Sequence, residues 1–322
     1  MRHRQGRACR RVFLQSLHMT GATILVTGAS GFLGTAVCHA LVDSGANIIA
    51  THYRSALAFE HPSLHWIACD LTSTSAELDL LCQRFDTVFH LAAVLPSGQT
   101  AEKEAARINR HIDDLVFRTA AKKRVPVVYA SGTSVYGHTR DVTPISETSR
   151  AAPSSPYPQA KLDSERAGAD MALGAGTRFV ALRLCAPYGP RQRARTVLQV
   201  FIERSLRGET LEYYGSGRRE QAFTFESDAA RAFLLAVRKG NGCYNVTGAP
   251  SITMRELALL VADVGGHSAG LVKAAAFTDP QEGLTARFNT LRASVELGWQ
   301  PNVSLREGIV RCMAVRKAGA TA

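Results

Sequence analysis

The stretch TGASGFLG, residues 27–34, constrains the fold of this chain more than any other. Gly28, Gly31 and Gly34 recur at every third position, directly after the apolar run TILVT. They stand directly before a segment in which Phe32, Leu33, Val37, Ala40 and Leu41 fall at helical spacing and which closes at Gly45. A strand that turns through glycine into a helix leaves the first N–H groups of that helix unpaired, with a partial positive charge. The first glycine permits the tight turn, the second lets the backbone approach a pyrophosphate, and the third lets helix and strand pack closely. The loop, completed by Ser30, Phe32 and Leu33, reads as a cradle for dinucleotide phosphates.

The rest of the chain carries the rhythm that such a loop requires. Short apolar runs (NIIAT, LHWIACD, TVFHLAA, VPVVYAS, TRFVALRL) alternate with helical patterns over 75–85, 101–124 and 158–173. Strands alternating with helices predict an α/β fold, a doubly wound parallel sheet covered on both faces. After about residue 185 the rhythm breaks into helices separated by short strands and turns, with Thr253 and Glu256 spaced as a capping box. We expect a dinucleotide-binding domain over 19–184. Residues 185–322 form a smaller C-terminal α/β substrate lobe, some of whose segments return to the sheet, with a cleft between the two.

Charge and cysteine content narrow the function classes. The net charge of +11 invites a nucleic-acid reading, but Arg2, Arg4, Arg7, Arg10 and Arg11 supply nearly half of it from the first eighteen residues. Met19 stands directly before the first strand, so residues 1–18 read as a disordered basic extension and no nucleic-acid partner is expected. An Arg-rich leader free of acids also fits a targeting peptide, though the segment is short and poor in serine. No apolar run approaches the ~18 residues of a membrane span. The 7 cysteines form no Cys-x-x-Cys pair, which predicts no metal site and fits a reducing, cytoplasmic compartment. At the end of the second strand, where a carboxylate would meet the adenosine ribose, stand Thr51, His52, Tyr53 and Arg54. An arginine without a carboxylate favours NADP over NAD. Asp70 and Leu71, ending the third strand, are placed to meet the adenine.

These motifs, with HLAA at 90, VYASGTSVYG at 128, YPQAK at 157, LRLCAPYGPRQ at 182, YNVTGAPSITMREL and LGWQPNVSLREGI, resemble the extended short-chain dehydrogenase/reductases. More narrowly, they resemble the NAD-dependent epimerase/dehydratase family that modifies nucleotide sugars, over essentially residues 22–310. The resemblance implies a Rossmann-type fold, cofactor contacts from Leu91, Ala92 and Ala93, and a homodimer through the helices at 101–124 and 158–173. It makes Tyr157 the acid/base and Lys161 its activator, both also touching the cofactor. An ammonium one helical turn away, with the nicotinamide's positive ring nearby, is expected to lower the phenol's pKa from its usual ~10.

Three departures from the family pattern bear on the reaction. The hydroxyl expected three residues before Val135 is replaced by Gly132, with Ser131 and Thr133 flanking it; Thr133 is preferred. Dehydratase relatives carry Asp-Glu before VYG, whereas this chain has Thr133 and Ser134. The arginine that meets the substrate diphosphate is missing from its usual place before Phe223, leaving Arg191, Arg218 or Arg219 to serve. The expectation is an oxidoreductase acting on a nucleotide-linked hexose through a 4-keto sugar, as a 4-epimerase or a 4-ketoreductase. The alternatives are an NADPH-dependent reductase of a non-sugar carbonyl, and a non-catalytic dinucleotide sensor or RNA-binding relative. His90 and His111 read as structural, since nothing pairs them with a nucleophile.

Overall fold

The computed structural model describes residues 18–54, 59–96, 99–248 and 250–320. The basic extension apart from His18 lies outside them. Six strands lead the chain: β1 (Thr23–Thr27), β2 (Asn47–His52), β3 (Leu64–Ala68), β4 (Thr87–His90), β5 (Val127–Gly132) and β6 (Phe179–Leu184). With the strand Gly242–Val246 they form a 7-stranded sheet, in which β1 lies between β2 and β4 and Gly242–Val246 pairs with β6 at the edge. Every pairing in it is parallel. The order reverses between β1 and β4, and the C-terminal ends on either side of such a switch point open the crevice in which open α/β sheets hold ligands.

Helices cover both faces, which is why β1, β4 and β6 are buried almost throughout. On one face, α1 (Phe32–Asp43) packs with a later helix, Glu226–Lys239, around Val37, Leu41, Phe233 and Trp299. On the other face lie α2 (Ala76–Leu81), α3 (Gln99–Lys123) and α4 (Pro156–Gly174), around Leu80, Ile112, Val116 and Ala172. A separate core gathers Tyr188, Phe201, Leu257 and Ile309 among α5 (Val197–Leu206), α7 (Met254–Val264) and α8 (Leu305–Ala320). Glu226–Lys239 is therefore α6 in chain order, and with the strand after it belongs to the sheet body although it follows residue 185. The capping box forms as spaced: Thr253 accepts from the Glu256 amide, and Glu256 accepts from the Thr253 amide. Among the described residues, no helix is long and apolar enough to cross a membrane, and no group of His, Cys, Asp and Glu could hold a metal.

Candidate active site

The glycine loop has the shape that its spacing predicts. Gly28 has φ +69°, and a Cβ there would sit 2.7 Å from the Ala92 backbone, so only glycine lets this loop lie against the end of β4. A Cβ on Gly34 would fall 2.1 Å from the Gly28 carbonyl oxygen. The N-cap of α1 is Gly31; among the described residues no side chain caps it and no acid occupies its first turn. Free N–H groups, uncompensated dipole and a floor only glycine allows together fit a dinucleotide pyrophosphate. Ser30, Phe32 and Leu33 sit half-buried at the loop's rim, and Leu91 and Ala92 line its floor with Ala93 exposed beyond them.

At the adenosine end the strands place Arg54 beside Asp70. The Arg54 guanidinium donates to the Tyr53 hydroxyl at 3.2 Å and lies 4.8 Å over its ring. Asp70 accepts from the Thr72 hydroxyl at 2.6 Å and from the Thr72 amide at 2.9 Å. Those two bonds, with smaller help from the Tyr53 hydroxyl and the Arg54 charge, hold the Asp70 carboxyl below its usual range. Arg54 is thus held by Tyr53, with Asp70 near enough to feel its charge. Leu71 is 6% exposed and turns its side chain into the core rather than toward an adenine.

Tyr157 and Lys161 lie one turn apart on α4. The helix starts where Ser155, its N-cap, donates its hydroxyl to Glu102 of α3, and the Tyr157 amide donates to the same carboxylate at 3.4 Å. An anion at a helix N-terminus is favourable, so Glu102 fixes the turn that carries Tyr157. Lys161 is 4% exposed; its ammonium donates to the Ala130 carbonyl at 3.2 Å and lies 4.4 Å over the Tyr129 ring. Burial pushes the Lys161 pKa down, while Asp113 and Glu165 pull it back up. Burial, reinforced by the charge of Asp113, pushes the Tyr157 phenol up to about 12. Burial and the Asp113 carboxylate thus act against the lowering expected from the Lys161 ammonium and the nicotinamide ring.

The two candidate hydroxyls are used differently. Ser131 donates to Glu165 Oε1 at 2.5 Å, inside a buried pair in which Arg183 meets Glu165 at 2.6 Å. Arg183 also donates to the Tyr136 hydroxyl at 2.8 Å, which in turn donates to Asn245 at 2.7 Å. Thr133, in the 3-10 turn Thr133–Tyr136, lies against the Cys185 thiol. Gly132 between them is extended, and a Cβ there would meet nothing nearer than the Ser134 hydroxyl at 3.4 Å. The arginines proposed for a diphosphate are engaged as well. Arg191 is half-exposed and stands 3.5 Å from Glu226, while Arg219 stands 3.2 Å from Asp279. Arg218 is the most exposed of the three and reaches Glu282 only at 4.0 Å.

Sequence reasoning missed Asp113, Tyr129, Glu165 and Arg183. The available signal was a polar side chain inside an apolar strand, as in TVFH, VVYAS and FVALRL, because such groups must find partners when buried. His90 is fully buried and bonded to Asp113 at 2.8 Å, as a structural histidine, and His111 is exposed.

A glycine cradle at the switch point, facing a tyrosine–lysine turn, defines a dinucleotide-dependent oxidoreductase fold. Residues 24–247 match the NAD dependent epimerase/dehydratase family, and the chain belongs to that family. It is an enzyme of the extended short-chain dehydrogenase/reductase type. It is 28% identical to the UDP-glucose 4-epimerase of Mycolicibacterium smegmatis over 313 residues, covering 89% of this chain and 96% of that one. The structure of a Thermotoga maritima UDP-glucose 4-epimerase with UDP-glucose is similar at TM-score 0.83 and 26% identity, covering 92% and 99%. That of MoeE5 with UDP-glucuronic acid and NAD is similar at TM-score 0.80 and 30% identity, also covering 92% and 99%.

Proposed function

We propose that this enzyme interconverts the C4 epimers of a UDP-linked hexose through a 4-keto sugar, retaining NAD between turnovers. The observation that carries the reading is the buried Lys161 held one turn below Tyr157 beside the glycine cradle. Gly28, Gly31, the first turn of α1 and residues 91–93 would hold the cofactor, with Arg54 and Asp70 at its adenosine end. When bound, the cofactor accepts and returns a hydride. Tyr157 exchanges a proton with the O4 oxygen, Lys161 balances the charge of its phenolate form, and Thr133 donates a hydrogen bond to the same oxygen. Thr133 and Ser134 stand where a dehydration would need a carboxylic acid, so loss of water is disfavoured. Arg191 and Arg219 remain the candidates for the diphosphate, each needing to leave a carboxylate to reach it. A homodimer belongs to the same reading.

One observation favours a second reading. A phenol pushed up to about 12 is protonated at neutral pH, the form from which a 4-ketoreductase consuming NADPH starts. The freshly purified protein is to be denatured and any released nicotinamide nucleotide identified. Stoichiometric NAD, with UDP-glucose and UDP-galactose interconverted without added cofactor, is the expected result. An empty protein that oxidises NADPH with a 4-keto sugar overturns the epimerase reading. Tyr157→Phe is expected to remove turnover in either case, and a variant at full rate sinks both.

A further inference from the structure

Glu226, the first residue of α6, is buried, and among the described residues its Oε2 has no hydrogen-bond partner. That oxygen lies against Gly189, where a Cβ would fall 2.4 Å from it, so the backbone seals it from water. The other carboxylate oxygen stands 3.5 Å from the half-exposed Arg191 guanidinium, at the outer limit of hydrogen-bond reach. The backbone that carries Arg191 is fixed. Gln199 of α5, 1% exposed, donates to the Gly189 carbonyl at 3.3 Å and to Gln192 Oε1 at 2.9 Å. Gln192 donates back to the Pro187 carbonyl at 3.1 Å. The Arg191 side chain is therefore the part of this loop that can change partners. It stands on the ligand side of the sheet. The strand Pro187–Tyr188 follows β6 at the C-terminal edge and pairs with Thr224–Phe225, which leads into α6. Helices α6 and α1 pack together and both begin at that edge, which is also the edge of the glycine cradle.

We propose that Glu226 is a proton-linked hold on Arg191: when a pyrophosphate diester, the cofactor's or a nucleotide sugar's, draws the guanidinium away, the carboxylate left behind takes up one proton from solvent. A buried carboxylate with a bare oxygen keeps its charge only beside a counter-charge, and binding takes that counter-charge away. Glu226 thereby competes with the ligand for one arginine. Because binding takes up a proton, affinity falls as pH rises. The partial positive charge at the start of α6 is present in both states and does not drive the exchange. The other charged and titratable groups around the pair have partners of their own or act weakly. On α6, Asp228 meets Arg231; on α8, Arg311 meets Glu307 and Arg316 meets Glu203, while the Cys312 thiol feels the Glu226 charge. On α1, His39 feels the charges of Arg191 and Asp43. Burial already raises the Glu226 pKa more than Arg191 lowers it, so losing Arg191 raises it further.

The probes are UDP-glucose and NAD, whose pyrophosphates neither gain nor lose a proton near neutral pH. Each is titrated calorimetrically in two buffers of different ionisation enthalpy, UDP-glucose into the enzyme as purified and NAD into enzyme freed of bound nucleotide. With at least one of them the wild-type protein is expected to take up about half a proton or more, its affinity falling several-fold per pH unit. In Glu226→Gln the uptake is expected to vanish and the affinity at neutral pH to rise several-fold, because a neutral amide releases Arg191 more readily. Uptake with UDP-glucose assigns Arg191 to the substrate, and uptake with NAD assigns it to the cofactor. No uptake with either ligand, or equal uptake in Glu226→Gln, overturns the proposal. Should Glu226→Gln not fold, Arg191→Gln decides. Without the guanidinium, binding has no counter-charge to remove, so uptake is expected to vanish there too, and uptake retained overturns the proposal. Only the UDP-glucose arm rests on the nucleotide-sugar reading. Failure of UDP-glucose to bind sinks that reading, while NAD still tests the hold.

Discussion

Ser131 and Thr133 are two residues apart, yet the burial of their partners separates their roles. Ser131 supplies a hydrogen to Glu165, whose carboxylate is 7% exposed, and removing a donor from a buried charged group costs about 1–3 kcal/mol. Ser131→Ala is therefore expected to lower the melting temperature while leaving kcat within a few-fold. Thr133 lies against the Cys185 thiol rather than a buried charge, and Thr133→Val is expected to lower kcat on the order of 100-fold with little loss of stability. Circular-dichroism melts beside initial rates on both variants measure this, and the reversed pattern would make Ser131 the reacting hydroxyl. The motif spacing located both residues to within one position of the gap at Gly132. It could not rank them, because the ranking depends on Glu165 and Arg183, which lie 34 and 52 positions beyond Ser131 and meet it only through the packing of α4 on β5 and the pairing of β5 with β6.

At the level of elements, local signals were strong where one rule acted alone. The glycine loop, the capping box at Thr253 and the apolar strands all formed as read, because turn chemistry, capping and burial agree there. The signals were weak where tertiary contact decides. Helix α6 has the composition of any amphipathic helix after residue 185, and only its packing against α1 assigns it to the sheet body. Its first residue carries a penalty that no pattern announces. Glu226 is 7% exposed; among the described residues its Oε2 has no hydrogen-bond partner, and its ion-pair partner is Arg191 at 3.5 Å. Burial raises its pKa more than Arg191 lowers it. A carboxyl with a raised folded-state pKa leaves stability intact below its unfolded value of 4.5 and erodes it as pH rises through the folded value. Glu226→Gln is accordingly expected to raise the melting temperature at pH 8 by on the order of 2–4 °C. At pH 4.5 and below it is expected to bring little gain. Equal gains at both pH values would place the benefit in packing rather than in the charge.

The described residues form three main apolar cores, one on each face of the sheet and one among α5, α7 and α8, and a short segment passes from the first face to the last of them. Trp299 is fully buried in the first, and Val303, four residues later, is 8% exposed in the last. Asp228 of α6 holds that crossing. Its carboxylate accepts from the Asn302 amide at 3.0 Å and the Val303 amide at 2.9 Å, and its carbonyl accepts from the Trp299 indole at 2.9 Å. Arg231 meets the same carboxylate at 3.2 Å and donates to the Gln300 carbonyl. Because the proposed cleft lies between the sheet body and that last core, their relative position sets where a substrate held by the latter would sit against Tyr157 on the former. Asp228→Ala leaves two amides and a largely buried guanidinium without their acceptor, a loss of about 3 kcal/mol. That corresponds to roughly 6–12 °C in melting temperature for a chain of this size. If Asp228 is the link, the loss is uneven. Hydrogen exchange should quicken across 197–206, 254–264 and 305–320 while the strands of the sheet stay protected. Uniform quickening would mean that the two bodies unfold as one unit and that Asp228 stabilises both alike.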